Sequence, residues 1–159
     1  MNIKVLCVGK IKEKFYRDAI DEYSKRLSKY GSVSVVEVPD EKTSENASLN
    51  EIDIVKDKEG ERLLKHIGER DFVIALAILG KQMDSVAFSR YIEDLGIQGK
   101  SSIVFVIGGS LGLSDSVLKR ADFQVSFSKM TFPHQLMRVI LLEQIYRAMR
   151  IMKNEPYHK

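Results

Sequence analysis

The chain has a single cysteine, three histidines and no apolar run approaching a membrane span, and each shortage removes a class of explanation. Cys7 has no partner for an internal disulfide, and its place inside an apolar strand makes it a buried structural thiol. His66, His134 and His158 lie far apart, so no metal centre is expected. A bilayer-spanning helix needs about 20 apolar residues. The opening MNIKVLCVGK has too short an apolar run for a secretory signal, so a cytoplasmic location without a membrane partner is expected. There is no GxxxxGK[ST] segment, and GGSLG departs from GxGxxG, which disfavours ordinary triphosphate and dinucleotide sites. Internal repeats and low-complexity segments are absent as well.

What remains is an ordinary globular composition, 44% hydrophobic and 30% charged, in 159 residues. A chain of this length buries roughly 70% of its unfolded surface, so one domain over residues 1–159 needs no metal or disulfide staple. The net charge of +3 is unevenly placed. From Lys119 onward there are eight Lys and Arg against three Asp and Glu, whereas the first 118 residues carry 17 against 19. Such a concentration suits an anionic partner such as RNA, and equally suits a solvated helix face.

Hydrophobic periodicity predicts alternating elements. Strands are expected at Asn2 to Val8, Val33 to Val38, Phe72 to Ile78, Ile103 to Ile107 and Phe123 to Ser126. Helices are expected over Ile11 to Lys29, from Ser48 to about His66, over Ser85 to Leu95 and Ser114 to Ala121, and from Pro133 onward. Phe15, Ile20, Tyr23 and Leu27 recur at near-helical spacing in the first helix. Pro39 to Leu49 is a polar connection, and Ser48 with Glu51 reads as a capping box. The continuous apolar run Phe72 to Ile78 reads as a strand buried on both faces. These elements imply a three-layer α/β sandwich with a mostly parallel sheet, whose ligands bind at the carboxyl ends of the strands.

Two segments carry further information. Between Pro133 and Lys153 twelve of 21 positions are apolar and surround the helix axis. A second apolar face that meets another subunit is expected, giving a homodimer, the alternative being a helix central within one chain. VFVIGGSLGL, Val104 to Leu113, places glycines after a strand where backbone can approach a ligand closely. Its GGSLG also fits G-x-S-x-G, which would make Ser110 a hydrolase nucleophile with Asp115 or Asp122 and His134 or His158. Nothing resembles the additional oxyanion motif of that class.

LAILGK at Leu76 to Lys81, VFVIGGSLGL, SFSKMTFPHQLMRVILLEQIYRA and the terminal PYHK, taken in order and spacing, resemble a bacterial family. It is the SPOUT-class ribosomal RNA large subunit methyltransferase H family, 23S rRNA pseudouridine N3-methyltransferases, and the resemblance covers essentially the whole chain. It implies a C-terminal trefoil knot, a rare exception to the rule against threaded loops. It also implies an S-adenosyl-L-methionine pocket and, as substrate, 23S rRNA within the assembled ribosome. Carried onto this sequence, the cofactor contacts fall on Leu76, Gly108, Phe127, Ser128, Lys129, Met130, Thr131 and Phe132. The family's C-terminal tail completes an active site across the dimer, which assigns catalytic roles to Tyr157, as a stacking or hydrogen-bonding group, and His158, as proton acceptor or base-fixing group. His134 and Arg138 suit either a phosphate or cofactor carboxylate or a structural role. Glu143, Tyr146 and Arg147 read as an interfacial polar cluster.

Overall fold

The computed structural model describes residues 1–159. The elements run β1 (Asn2–Val8), α1 (Lys14–Leu27), β2 (Ser32–Val38), α2 (Leu49–Leu64), β3 (Phe72–Gln82), α3 (Ser85–Ile97), β4 (Ser102–Ile107), α4 (Asp115–Arg120), β5 (Phe123–Ser126) and α5 (His134–Met152). The five strands form one sheet in the order β2-β1-β4-β3-β5, with every pairing parallel. Register aligns Val8 with Val38 and Cys7 with Ile107, so the turns after β1, β2 and β4 emerge at one edge of the sheet.

The twofold alternation of strand side chains builds two cores. Ile3, Val5 and Cys7 of β1 and Ile103, Phe105 and Ile107 of β4 face the layer holding α1, α3 and α5, where they meet Leu141, Leu142 and Ile145. Leu6, Val8, Val104 and Val106 face the opposite layer and pack on Leu63 of α2 and Val117 of α4. Each fully buried aliphatic side chain contributes about 1.5–3 kcal/mol. Ser89 donates to the carbonyl of Ala148 at 3.0 Å, which pins α3 against α5. Burial pushes the Cys7 thiol up to about 12, so it is an inert core group.

Local signals account for most boundaries. Ser48 Oγ accepts the Glu51 amide at 3.2 Å, Asp84 Oδ1 the Ala87 amide at 2.7 Å, and Ser114 Oγ the Val117 amide at 3.3 Å. The first cap has only this arm, since the Glu51 carboxylate does not return to Ser48.

The structure corrects the reading in two places. Phe15 lies at the exposed start of α1, 66% accessible, against Tyr16 rather than in the core. The third strand is longer than expected, and only Val73, Ile74 and Ala75 are fully buried, while Ile78 and Leu79 are 51% and 96% exposed. The reason is the short edge strand beside it. Both Leu76 and Lys81 align with Val125, so residues 77–80 leave the ladder. Gly80 there presses on β5, where a Cβ would lie 2.8 Å from backbone atoms of Gln124 and Val125. Only glycine permits that approach.

Candidate active site

The turn after β4, the loop after β5 and residues 76–78 of β3 enclose a cavity of about 640 Å³. The fold brings together Leu76, Gly108, Phe127, Ser128, Met130, Thr131 and Phe132, with His134 and Met137 of α5 closing one side. Lys129 points away from this lining and is exposed. Leu76, at the end of the buried stretch, is half-buried and belongs to both the core and the cavity wall.

The glycine turn is shaped by its own backbone. Gly112 takes a φ of 88° and its amide donates to the Gly109 carbonyl at 3.0 Å. A Cβ on Gly108 would come within 2.7 Å of the Gly112 carbonyl carbon, so the turn closes only with glycine there. The amides of Ser110 and Leu111, at its tip, make no hydrogen bond within the chain. Opposite, the loop 127–132 is stiffened from inside. Ser126 Oγ donates to the Ser128 carbonyl at 3.0 Å, and Ser128 Oγ accepts the Met130 amide at 3.0 Å. Phe127 stands edge-on to Phe88, with centroids 6.1 Å apart. The cavity is therefore preformed.

Arg138 is a structural group. It is fully buried, donates from Nη2 to the carbonyls of Val8 and Gly9 at 2.8 Å each, and pairs from Nη1 with Glu37 Oε2 at 2.7 Å. Glu37 Oε2 also accepts the Ile11 amide at 2.8 Å, so the pair clamps the β1–α1 turn. His134 lies between this clamp and the cavity. Burial, followed by the Arg138 charge, lowers its pKa and keeps the imidazole neutral near pH 7.

Tyr157 and His158 are not at their own chain's cavity. Tyr157 packs edge-on against Tyr146, with centroids 4.8 Å apart, and its hydroxyl donates to Glu143 Oε1 at 2.8 Å. Burial and that hydrogen bond push the phenol up to about 12. Arg147 pairs with Glu143 at 2.5 Å, lies 4.8 Å from the Tyr157 ring centroid and reaches His158 Nδ1 at 3.1 Å. Since Arg147 can only donate, Nδ1 accepts. This cluster sits roughly 13–20 Å along α5 from His134, at 1.5 Å per residue. The tail before it is anchored by Glu155, which accepts from Lys29 and Tyr30 at 3.0 Å each and from Arg150. Half of the positive charge of the last third is thus engaged, with Arg138 buried and Arg120, Arg147 and Arg150 paired, while Lys119, Lys129, Lys153 and Lys159 make no ion pair. The hydrolase arrangement is not assembled: Asp122 accepts from Val73 and Arg120, His158 faces Arg147, and His134, though it shares the cavity with Ser110, is hydrogen-bonded to neither Ser110 nor Asp115.

Sequence reasoning missed one group. Glu59 is 5% exposed, its Oε2 accepts the Glu41 amide at 3.0 Å, and its Oε1 has no partner. Burial raises its pKa, opposed by the hydrogen bond from the Glu41 amide and the Arg62 charge and reinforced by the Asp40 and Glu41 charges. The signal was present: Glu59 interrupts the buried stripe Val55, Glu59, Leu63, and the neighbouring Gly60 would place a Cβ 2.3 Å from Ser114 Oγ. A carboxylate on an apolar stripe beside a mid-helix glycine marks close packing around a polar group.

The chain has known counterparts. The family of predicted SPOUT methyltransferases matches residues 1–158. Two relatives of the full 159-residue length, each covered completely, are both called ribosomal RNA large subunit methyltransferase H. The one from Clostridium botulinum (strain 657 / Type Ba4) is 63% identical and the one from Clostridium kluyveri is 58% identical. A solved structure of the putative methyltransferase Lpg2936 from Legionella pneumophila, in complex with bound cofactor SAM, aligns with a TM-score of 0.50 at 10% identity. It covers 94% of this chain and 66% of that one, a likeness of fold. The chain belongs to the SPOUT methyltransferase family.

Proposed function

We propose that the protein is an S-adenosylmethionine-dependent methyltransferase of the large ribosomal subunit, methylating N3 of a pseudouridine in 23S rRNA on assembled ribosomes. The observation that carries this reading is the convergence of Leu76, the glycine turn and the loop 127–132 on one cavity, in a chain 58–63% identical over its whole length to ribosomal RNA large subunit methyltransferase H.

The residues present fit the cofactor. A cavity of about 640 Å³ falls in the range of small-molecule sites, and apolar groups such as Leu76 and Phe132 offer surface to adenine. The free amides of Ser110 and Leu111 suit the carboxylate and ribose oxygens. The bound cofactor would supply a methyl group on a sulfonium, leaving a neutral thioether after transfer. The protein's part is then orientation, exclusion of water and removal of the N3 proton. The knotted C-terminal path expected of the family is part of this reading.

Proton removal falls to His158 and base positioning to Tyr157, whose raised pKa suits a donor or stacking group rather than a base. Neither reaches its own chain's cavity, so a second copy must bring them. An outer stripe of α5 supports a homodimer: Leu136, Ile140 and Ile151 are half-buried and lie outside the core, in line with Glu143 and Arg147. The protein as a whole then acts as one unit of residues 1–159 in a dimer.

The test is methyl transfer from labelled S-adenosylmethionine to ribosomes lacking the modification, followed by nuclease digestion and mass spectrometry. One N3-methylpseudouridine per large subunit is expected on ribosomes, with little on naked RNA. Incorporation at another nucleotide, or none, would remove the assignment.

A further inference from the structure

A second, smaller chamber of about 40 Å³ adjoins the large cavity and shares Gly109, Ser110, Leu111 and His134 with it. Its remaining wall comes from the segment after β2, including Asp40, Glu41 and Thr43, and from Glu59 of α2. The volume suits one group the size of a water or an ammonium. What distinguishes the chamber is its charge. Glu59 Oε1 is buried without a partner, and the carboxylates of Asp40 and Glu41 lie near it.

No cation of the chain pairs directly with Glu59, although the Arg62 charge partly offsets it. Arg62, close by, donates from Nη1 to the Pro39 carbonyl at 2.9 Å and from Nη2 to Glu41, so its guanidinium is engaged elsewhere. His134 is held neutral by burial and by Arg138 and neither pairs with the carboxylate nor repels a cation. A buried carboxylate oxygen without a partner is costly, and such groups persist where a ligand meets them. The ligand must approach from the glycine turn. A Cβ on Gly109 would lie 3.4 Å from Oε1 and 3.5 Å from Oε2, so a side chain at that position would stand between the turn and the carboxylate.

We infer that the carboxylate of Glu59 receives the α-ammonium group of the cofactor's methionyl end, through the side chamber beside Gly109. The inference rests on the reading of the large cavity as the S-adenosylmethionine pocket. The two charged groups of the amino acid end would then be sorted by opposite faces of one turn. Free amides at Ser110 and Leu111 meet the carboxylate, and Glu59 meets the ammonium. Glu59 thereby selects donors that carry an amino acid over fragments that do not.

The test is calorimetric titration of the full-length protein with S-adenosylmethionine and with an analogue bearing hydrogen in place of the α-amino group, in wild type and Glu59→Gln. Wild type should prefer the natural cofactor by about tenfold or more, as for a charge-assisted hydrogen bond. Glu59→Gln should erase that preference while binding the analogue as wild type does. A preference that survives the substitution, or an equal loss for both ligands, overturns the inference. If Glu59→Gln does not fold, Glu59→Asp serves, because withdrawing the carboxylate by one methylene must shrink the preference. Failure of wild type to bind either ligand would instead sink the cofactor reading beneath it.

Discussion

Two glycine turns stand side by side at the carboxyl ends of β1 and β4, and their contrast separates scaffold from site. At the first, Gly9 adopts a φ of 91°, its amide reaches the Val38 carbonyl at 2.8 Å, and Arg138 occupies the carbonyls of Val8 and Gly9. At the second, Gly112 adopts nearly the same φ of 88°, yet the amides at the tip point to no partner in the chain and a cavity lies alongside. Buried backbone groups are almost always paired. A turn whose carbonyls are filled by a buried guanidinium is complete as structure, whereas the second, with Ser110 exposed at its tip, keeps its donors free for a ligand.

The largest expected effect comes from a segment outside both turns. Deleting Tyr157 to Lys159 removes the groups assigned to proton removal and base positioning but spares the Glu155 anchor. Methyl transfer should fall by about a thousandfold or more, with cofactor affinity nearly unchanged. Steady-state kinetics and calorimetry check this, and full activity would exclude a role for the tail. Mixing the truncated chain with a variant altered in the loop 127–132 should restore part of the activity if sites are shared between protomers.

Arg138→Leu breaks the closed turn. It strands the Glu37 carboxylate and the Val8 and Gly9 carbonyls, and should destabilise the fold by about 3–5 kcal/mol in denaturant titration. Gly108→Ala strikes the open turn, where the added methyl meets the Gly112 backbone. Cofactor affinity should drop by roughly 10–100-fold in calorimetry, and the backbone clash should cost about 1–3 kcal/mol of stability, less than Arg138→Leu. If both substitutions moved stability and affinity in the same proportion, the contrast between the turns would be lost. Ser48→Ala, remote from both, should cost about 1 kcal/mol of stability through the lost cap on α2 and leave binding alone.

The smallest effect concerns Glu59 in the unliganded protein. Its folded pKa is raised by burial, so the folded state binds its proton more tightly than the unfolded chain. The stability this gives is present at pH below the unfolded pKa and is lost as pH rises through the folded one. Glu59→Gln should therefore gain stability relative to wild type as pH rises from acid towards neutral, which melting curves across that range would detect.

The strand and helix pattern was legible because parallel β/α units write their periodicity plainly. Asn2–Val8 and Phe123–Ser126 have the expected bounds. The exposed outer half of β3 was not legible, because its exposure depends on how short its neighbour β5 is, a tertiary fact. The cavity's loop and glycine turn were recognisable as motifs. Arg138 was readable only as a cation near a helix start, since its role depends on carbonyls 129 and 130 residues away. Glu59 escaped because a charged residue in a charged helix draws no notice until the stripe it interrupts is known to be buried.

The most direct measurement is mass spectrometry of 23S rRNA from cells with and without this protein. Absence of one methyl group from N3 of a single pseudouridine, restored by the intact chain and not by one lacking Tyr157 to Lys159, is the expected result. An unchanged complement of methylated nucleotides would contradict the assignment of this cavity to ribosomal RNA methylation.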